Sequence, residues 1–249
     1  MKAMIFAAGL GSRLKPFTAT MPKALVPVAG IPMLEILIKH LQKNGINDII
    51  INVHHFASQV IDFLKVNNNF GVNITISHEE VLLDTGGGLK KAVWFFDDKN
   101  PFLVQNVDVV SDLDYPDMLS THNKTGAIAS LAVSNRNTSR YFLFDDSMQL
   151  CGWENTKTGE LKIVRPEAQN LKRFAFSGIH IIDPAIFNFM NRNGKFSIVD
   201  TYLELASSHK INGYKHNPEN WVDMGKPEEL INAEIILEKL KTVQKISHR

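Results

Sequence analysis

The chain has 249 residues, 44% of them hydrophobic and 21% charged, which is ordinary for a globular protein and enough for a sizeable core. Its 27 basic residues against 26 acidic ones leave a formal charge of +1, so no general field draws it to nucleic acid or to a membrane. A single cysteine, Cys151, excludes an intramolecular disulfide and points to a reducing compartment, and no apolar run is long enough for a signal-peptide core or a membrane span. A cytoplasmic protein is the expectation.

In chain order, the apolar run at 3–8 (AMIFAA) reads as a buried strand ending in a glycine-rich loop. Pro32 then opens a helix with Leu34, Leu37, Ile38 and Leu41 on one face, and Gly45 stops it. Residues 48–53 (DIIINV) are the next strand, 56–65 a helix, 72–77 a strand, 87–97 a helix and 101–106 another strand. Strands alternating with helices predict a mostly parallel sheet covered on both faces, with ligands at the edge where strands run into loops. The pattern loosens after about residue 134, where short strand candidates in 141–182 predict a small antiparallel lobe. Helices are expected at 184–190, 197–208 and 227–245. The spacing Leu230, Ala233, Leu237, Leu240 reads as a packing face and the terminal KISHR as solvated. The expected organisation is a single domain over 1–249, divided approximately into 1–134, an embedded lobe at 135–226 and a C-terminal helical part at 227–249.

The glycine-rich loop reads AAGLGSRLKPFTATMPKAL over residues 7–25. Gly9 and Gly11 permit a tight turn in which successive backbone N–H groups, beginning at Ala8, can meet phosphate oxygens. Ser12 adds a hydroxyl donor, Arg13 a fixed fork of charge and Lys23 a compact ammonium. The loop is not a P-loop, since no GKS or GKT follows, and not a dinucleotide fingerprint, since the third glycine would fall at Leu14. Two glycines alone would be a plain turn; Arg13, Pro16, Thr18, Pro22 and Lys23 add the chemistry.

The run GLGSRLKPFT followed by PKAL resembles the signature of the sugar-nucleotide pyrophosphorylases, GxGxRxxPxT followed by PK. The resemblance covers about residues 2–240 and includes LDTGGG (83–88), QNVD (105–108), FSGI (176–179) and WVDMG (221–225). It implies a Rossmann-like nucleotide-diphospho-sugar transferase fold in which 1–134 binds nucleotide and 135–226 binds the sugar phosphate. It assigns the triphosphate to Ala8, Gly9, Gly11, Ser12, Arg13 and Lys23, with Arg13 and Lys23 catalytic. By the same resemblance Thr85, Gly86 and Gly87 meet base and ribose, Asn106 and Gly178 the substrate, and Asp108 and Asp223 the Mg²⁺ ion. Relatives read asparagine, glycine, aspartate where this chain has Asn106, Val107 and Asp108. The lysine that grips the sugar phosphate in many relatives has two counterparts here, Lys162 and Arg165, in LKIVRPE. Within the family, DTGGG, FSGI, FSIVDTYLELA and WVDMG are most similar to the bacterial N-acetylmuramate-1-phosphate uridylyltransferases.

The resemblance therefore implies a transferase that joins a nucleoside triphosphate, UTP by its nearest likeness, to a sugar 1-phosphate with Mg²⁺, releasing pyrophosphate in cell-wall or sugar-nucleotide synthesis. Its partners are these small molecules, with no nucleic acid or membrane, in a monomer or homodimer. Guanylyl transfer to mannose or heptose 1-phosphate, or cytidylyl transfer to phosphocholine, is the same chemistry on other substrates. A non-catalytic nucleotide-sugar sensor is the rival from another class, but a sensor has no need of paired metal carboxylates. The attacking phosphate is largely dianionic at neutral pH and needs no general base. That fits the lack of a His–carboxylate constellation: His54 and His55 read as loop or helix-start residues and Cys151 as a small, partly buried one.

Overall fold

The first strand, β1 (Ala3–Phe6), is buried at all four positions, as its unbroken apolar run requires. The protein is described by a computed structural model covering residues 1–246, with side chains as far as Lys239; the side chains of Leu240 and of the KISHR terminus lie outside the described residues. After the glycine-rich loop, β2 (Pro27–Val28) and β3 (Ile31–Pro32) pair in a short antiparallel hairpin. Helix α1 (Met33–Lys43) follows Pro32 at once and buries Leu34, Leu37, Ile38 and Leu41, the expected face. Strand β4 (Asp48–Val53), helix α2 (Ala57–Val66) and strand β5 (Asn73–His78) continue the alternation within one or two residues of expectation.

Helix α3 (Asp84–Lys91) begins three residues before the expected start and ends six before the expected stop. Asp84 takes a left-handed φ of 61° and its carboxylate accepts the Thr85 N–H, so the turn is made before the glycines. Strands β6 (Phe102–Asn106) and β7 (Val109–Ser111) follow. Helix α4 (Tyr115–Thr125) and strand β8 (Ala129–Ser134) were not read from the sequence. The α4 segment YPDMLSTHNKT carries only a thin apolar stripe, yet its ends are signalled: Asp114 accepts the Asp117 N–H, Pro116 sits in the first turn, and Gly126 closes at φ 61°.

The lobe contains β9 (Arg140–Phe144), β10 (Leu150–Asn155), β11 (Glu160–Ile163) and β12 (Lys172–Ile182), each antiparallel to its neighbour in the order β11-β10-β9-β12. The segment expected as a helix at 184–190 is a 3₁₀ stretch, Pro184–Phe189. Helix α5 (Ile198–Leu205), strands β13 (Ile211–Lys215) and β14 (Trp221–Asp223), and helix α6 (Pro227–Ile246) complete the chain.

The chain is mixed α/β, with a mostly parallel central sheet, helices and small antiparallel sheets. It divides into two compact units, one of Met1–Met4, Leu83–Gln105 and Asp114–Pro218, the other of Ile5–Leu82, Asn106–Leu113 and the segment from Glu219 onward. In the first, β6 and β8 both pair antiparallel with β12, and β13 lies parallel to β8. In the second, β4 and β5 are parallel and β7 pairs antiparallel with β14. A buried cluster of Leu14, Val26, Val28, Met33, Val110, Val222, Met224, Ala233, Ile236 and Leu237 joins the loop, the hairpin, β7, β14 and α6 of that unit. Among the described residues no helix is long and apolar enough to cross a membrane.

Candidate active site

The glycine-rich loop is held at both ends and open in its middle. At its start the Ala7 N–H donates to Asn52 Oδ1 at 2.7 Å. At its far end Leu14 is fully buried in the apolar cluster, which leaves the adjacent Arg13 at the surface. Gly11 is the position that only glycine fits: its φ is 63°, and an added Cβ would lie 2.7 Å from Thr18 Cγ2 and 2.9 Å from Lys23 Cβ. Thr18 returns a hydrogen bond from Oγ1 to the Gly11 carbonyl at 2.8 Å. Nothing would meet a Cβ at Gly9, so that stretch of backbone faces open space.

Four charged residues from distant parts of the sequence meet beside the loop, all in one unit. The Lys23 ammonium hydrogen-bonds to Asp108 Oδ2, and both side chains are largely buried. Arg13 Nη2 lies 3.9 Å from Asp223 Oδ2. The β7–β14 register pairs Asp223 with Val109, and the Met224 N–H donates to the Asp108 carbonyl at 2.7 Å, which brings the two aspartates side by side. Val107, which stands where the resemblance implies glycine, takes no positive φ; its side chain is buried and its N–H donates to the Phe6 carbonyl at 3.1 Å. A β-branched residue is therefore accommodated without strain.

Burial pushes the Asp223 carboxyl up, and the Asp108 charge and a hydrogen bond with Asp108 add to it, raising its pKa to about 6. Burial also acts to raise Asp108, but the adjacent Lys23 ammonium and hydrogen bonds from Asp223 and Lys23 outweigh it, so Asp108 titrates below the usual carboxylate range. Of the two, Asp223 is therefore the first to take up a proton as pH falls. Gly225 supplies the space between them: a Cβ there would lie 2.6 Å from Asp223 Oδ1, 2.7 Å from Arg13 Nη2 and 2.9 Å from Asp108 Oδ2. Two hard oxygen donors over a side-chain-free cradle are the donor set that a hard divalent cation would suit. Among the described residues no cluster of three or more metal-ligating side chains occurs.

The DTGGG segment lies in the other unit, and its glycines have a packing reason. The Gly86 N–H donates to the Phe196 carbonyl at 2.9 Å and the Gly87 N–H to the same oxygen at 3.3 Å. A Cβ on Gly86 would strike the Phe196 ring at 2.4 Å, and one on Gly87 the Gly194 carbonyl at 2.2 Å. Thr85 Oγ1 accepts the Ile198 N–H at 3.0 Å at the start of α5. DTGGG and FSIVDTYLELA, separate motifs in the sequence, are thus one contact. Gly178 is buried at φ 72° where the β12–β8 register shifts between Phe176 and His180. Beside it Ser177 is fully buried, its hydroxyl 2.7 Å from His216 Nε2. This serine is in no position to act as a nucleophile.

Lys162 and Arg165 also differ in setting. Lys162 is half-exposed on the edge strand β11, 3.1 Å from Glu160 and 5.4 Å from the centroid of the Trp153 ring. Arg165 donates to the Ala206 carbonyl at 3.1 Å and lies 3.4 Å from Glu167. Ala8, Ser12 and Asn106 belong to the same unit as the charged cluster. Asn52 and Glu79 went unnoticed in the sequence. The signal was available: an asparagine inside the apolar run DIIINV must find buried partners.

The nucleotidyl transferase family profile matches residues 2–239. Among curated relatives, a UTP–glucose-1-phosphate uridylyltransferase of Synechocystis sp. is 29% identical over 98% of this chain, which spans 66% of that relative's length. An N-acetylmuramate alpha-1-phosphate uridylyltransferase of Neisseria meningitidis serogroup B is 29% identical over 90% of this chain and 93% of its own length. A solved structure of a putative glucose-1-phosphate thymidylyltransferase from Bacillus anthracis superposes with a TM-score of 0.77 at 21% identity, covering 95% of this chain and 94% of that one. The profile, matched from the first strand to the last helix, makes this chain a member of the nucleotidyl transferase family.

Proposed function

We propose that the protein transfers a nucleotidyl group from a nucleoside triphosphate to a sugar 1-phosphate and releases pyrophosphate, with UTP and N-acetylmuramate 1-phosphate as the substrate pair. The observation that carries the reaction is the convergence of Arg13, Lys23, Asp108 and Asp223 over Gly225. A nucleotide sensor has no use for two adjacent carboxylates and two cations at one spot. The uridylyl and N-acetylmuramate assignment draws on the relative from Neisseria meningitidis, whose length the chain nearly spans.

In this reading a phosphate oxygen of the sugar 1-phosphate attacks the α-phosphorus. A new P–O bond forms, the bond from the α-phosphorus to its bridging oxygen breaks, and pyrophosphate leaves with the electron pair. Asp108 and Asp223 would hold Mg²⁺, which when bound would supply charge neutralisation at the reacting phosphates. The loop amides from Ala8 to Ser12 and the Arg13 guanidinium bind the outer phosphates and hold the departing group. Lys23, whose ammonium lies beside Asp108, takes up charge that develops on the α-phosphate. Asn106, Thr85, Gly86, Gly87 and Gly178 are assigned to the remaining contacts with nucleotide and sugar.

The test is pyrophosphate release from purified protein and Mg²⁺ with UTP, GTP, CTP or dTTP and a panel of sugar 1-phosphates and phosphocholine. Release strongest with UTP and N-acetylmuramate 1-phosphate supports the assignment. Release with another pair moves the substrates and keeps the reaction. Nucleotide binding without release from any pair refutes it.

A further inference from the structure

At the ends of β1, β4 and β5 three residues form a buried relay that leads to the glycine-rich loop. Glu79, 1% exposed, lies just beyond β5, and its N–H donates to the Val53 carbonyl at 2.8 Å. Its Oε1 accepts from Asn52 Nδ2 at 2.7 Å, and Asn52, 3% exposed, accepts the Ala7 N–H on Oδ1 at 2.7 Å. His54 Nδ1 lies 2.8 Å from the Glu79 carbonyl, which can only accept, so that ring nitrogen carries the proton and the Glu79 backbone is fixed from a second side.

The two ends of an asparagine amide have nearly the same shape and opposite hydrogen-bonding character. Only one orientation serves the loop: oxygen toward the Ala7 N–H. A carboxylate offers acceptors, so it compels the NH₂ end of Asn52 to face Glu79 and leaves the oxygen for Ala7. The loop depends on this anchor. Ala7 and Ala8 are buried, but Gly9 has no neighbour on its Cβ side and Leu10 is exposed, so the loop leaves the protein at Ala8 and the Ala7 hydrogen bond is the last polar anchor before it. A shift at Ala7 is carried directly into the amides that follow.

We propose that Asn52, oriented by Glu79, is a positioning residue that sets the glycine-rich loop for the triphosphate. The inference rests on the reading of that loop as the phosphate site. Both residues act at a distance from the phosphates, through the Ala7 amide.

The experiment compares wild type, Glu79→Gln and Asn52→Ala by thermal melting, steady-state kinetics with nucleotide and acceptor varied separately, and hydrogen exchange at the amides of residues 7–13. Glu79→Gln keeps volume and hydrogen-bonding capacity but no longer dictates which way Asn52 faces. The expected result is a folded protein with KM for the nucleotide raised about tenfold, KM for the sugar 1-phosphate within twofold, and faster exchange at Ala7. Asn52→Ala is expected to raise the nucleotide KM further. Wild-type nucleotide KM and wild-type exchange in folded Glu79→Gln overturn the proposal, as does an equal rise in both KM values with a fall in melting temperature. If wild type releases no pyrophosphate with any substrate pair, the phosphate-site reading fails by itself. The exchange rate at Ala7 then still decides whether Glu79 positions the loop.

Discussion

Gly225→Ala isolates the geometry of the charged cluster from the stability of the fold. Gly225 is not among the glycines with positive φ, so alanine meets no backbone penalty there. Its methyl group would stand 2.6, 2.7 and 2.9 Å from Asp223 Oδ1, Arg13 Nη2 and Asp108 Oδ2, where ordinary contact begins at 3.4 Å. Each polar atom must therefore retreat by roughly 0.5–0.8 Å, more than the tolerance of about 0.5 Å within which a metal or catalytic constellation stays productive. All three are ends of side chains, so the clash is relieved by rotation, which loosens the Asp108–Lys23 and Gly225–Asp223 hydrogen bonds without breaking the fold. A folding penalty of about 1 kcal/mol follows, a melting shift of about 2–4 °C for a chain of this size. A misplacement approaching 1 Å costs on the order of 10²-fold in rate. The assay is pyrophosphate release at saturating substrates beside Mn²⁺ binding followed by electron paramagnetic resonance. The expected outcome is a folded protein with turnover down about a hundredfold and weakened Mn²⁺ binding. Turnover within threefold of wild type would refute the claim that Asp108, Asp223 and Arg13 converge at the reacting phosphates.

Gly87→Ala should show the opposite partition. Its Cβ would lie 2.2 Å from a backbone oxygen, Gly194 O, which cannot swing away. The helix-propensity gain of about 1 kcal/mol is outweighed by overpacking, for a net loss of about 1–2 kcal/mol seen as a melting temperature lower by roughly 2–8 °C. An unchanged melting temperature would contradict the contact between α3 and the 194–196 segment. Lys23→Ala leaves the Asp108 carboxylate buried without its ammonium; without added divalent ion, denaturant titration should show a loss of about 3 kcal/mol, and turnover should fall by 10² or more. Asp108→Asn should lose turnover similarly and cost less stability, because it removes the buried charge itself; near-wild-type turnover in either folded variant would count against the assignment. Burial lowers the pKa of His180 to about 3, so the folded protein holds it neutral while the unfolded chain, near 6.5, takes up a proton. Its contribution is therefore fully present above about pH 6.5 and is lost as pH falls toward 3, at about 1.4 kcal/mol per unit. Urea titrations at pH 7 and 5 should show a smaller acid loss in His180→Asn than in wild type, and an equal loss would rule this histidine out as the cause.

The repeating strand and helix signals over residues 3–106 were legible because the packing there is local in kind. An apolar run makes a buried strand wherever it sits, and a 3.6-residue stripe makes a helix with one buried face, as in β1, α1 and β4. The loop motif was legible too, since glycines, a guanidinium and an ammonium at fixed spacing carry their chemistry with them. The weakly patterned α4 escaped because its fold rests on Asp114, Pro116 and Gly126 at its ends and on burial of Tyr115 and Met118, not on a strong periodic face. What the sequence could not show is which residues meet. Asp108 and Asp223 become neighbours through the antiparallel register of β7 and β14, two three-residue strands separated by more than a hundred residues of chain. The glycines of DTGGG are required by Phe196 and Gly194, and Asn52 is required by Ala7 and Glu79. Local residue type decides what a segment can form or bind. Long-range pairing alone decides which carboxylates stand side by side, which glycines must lack a side chain, and which buried amide meets the loop.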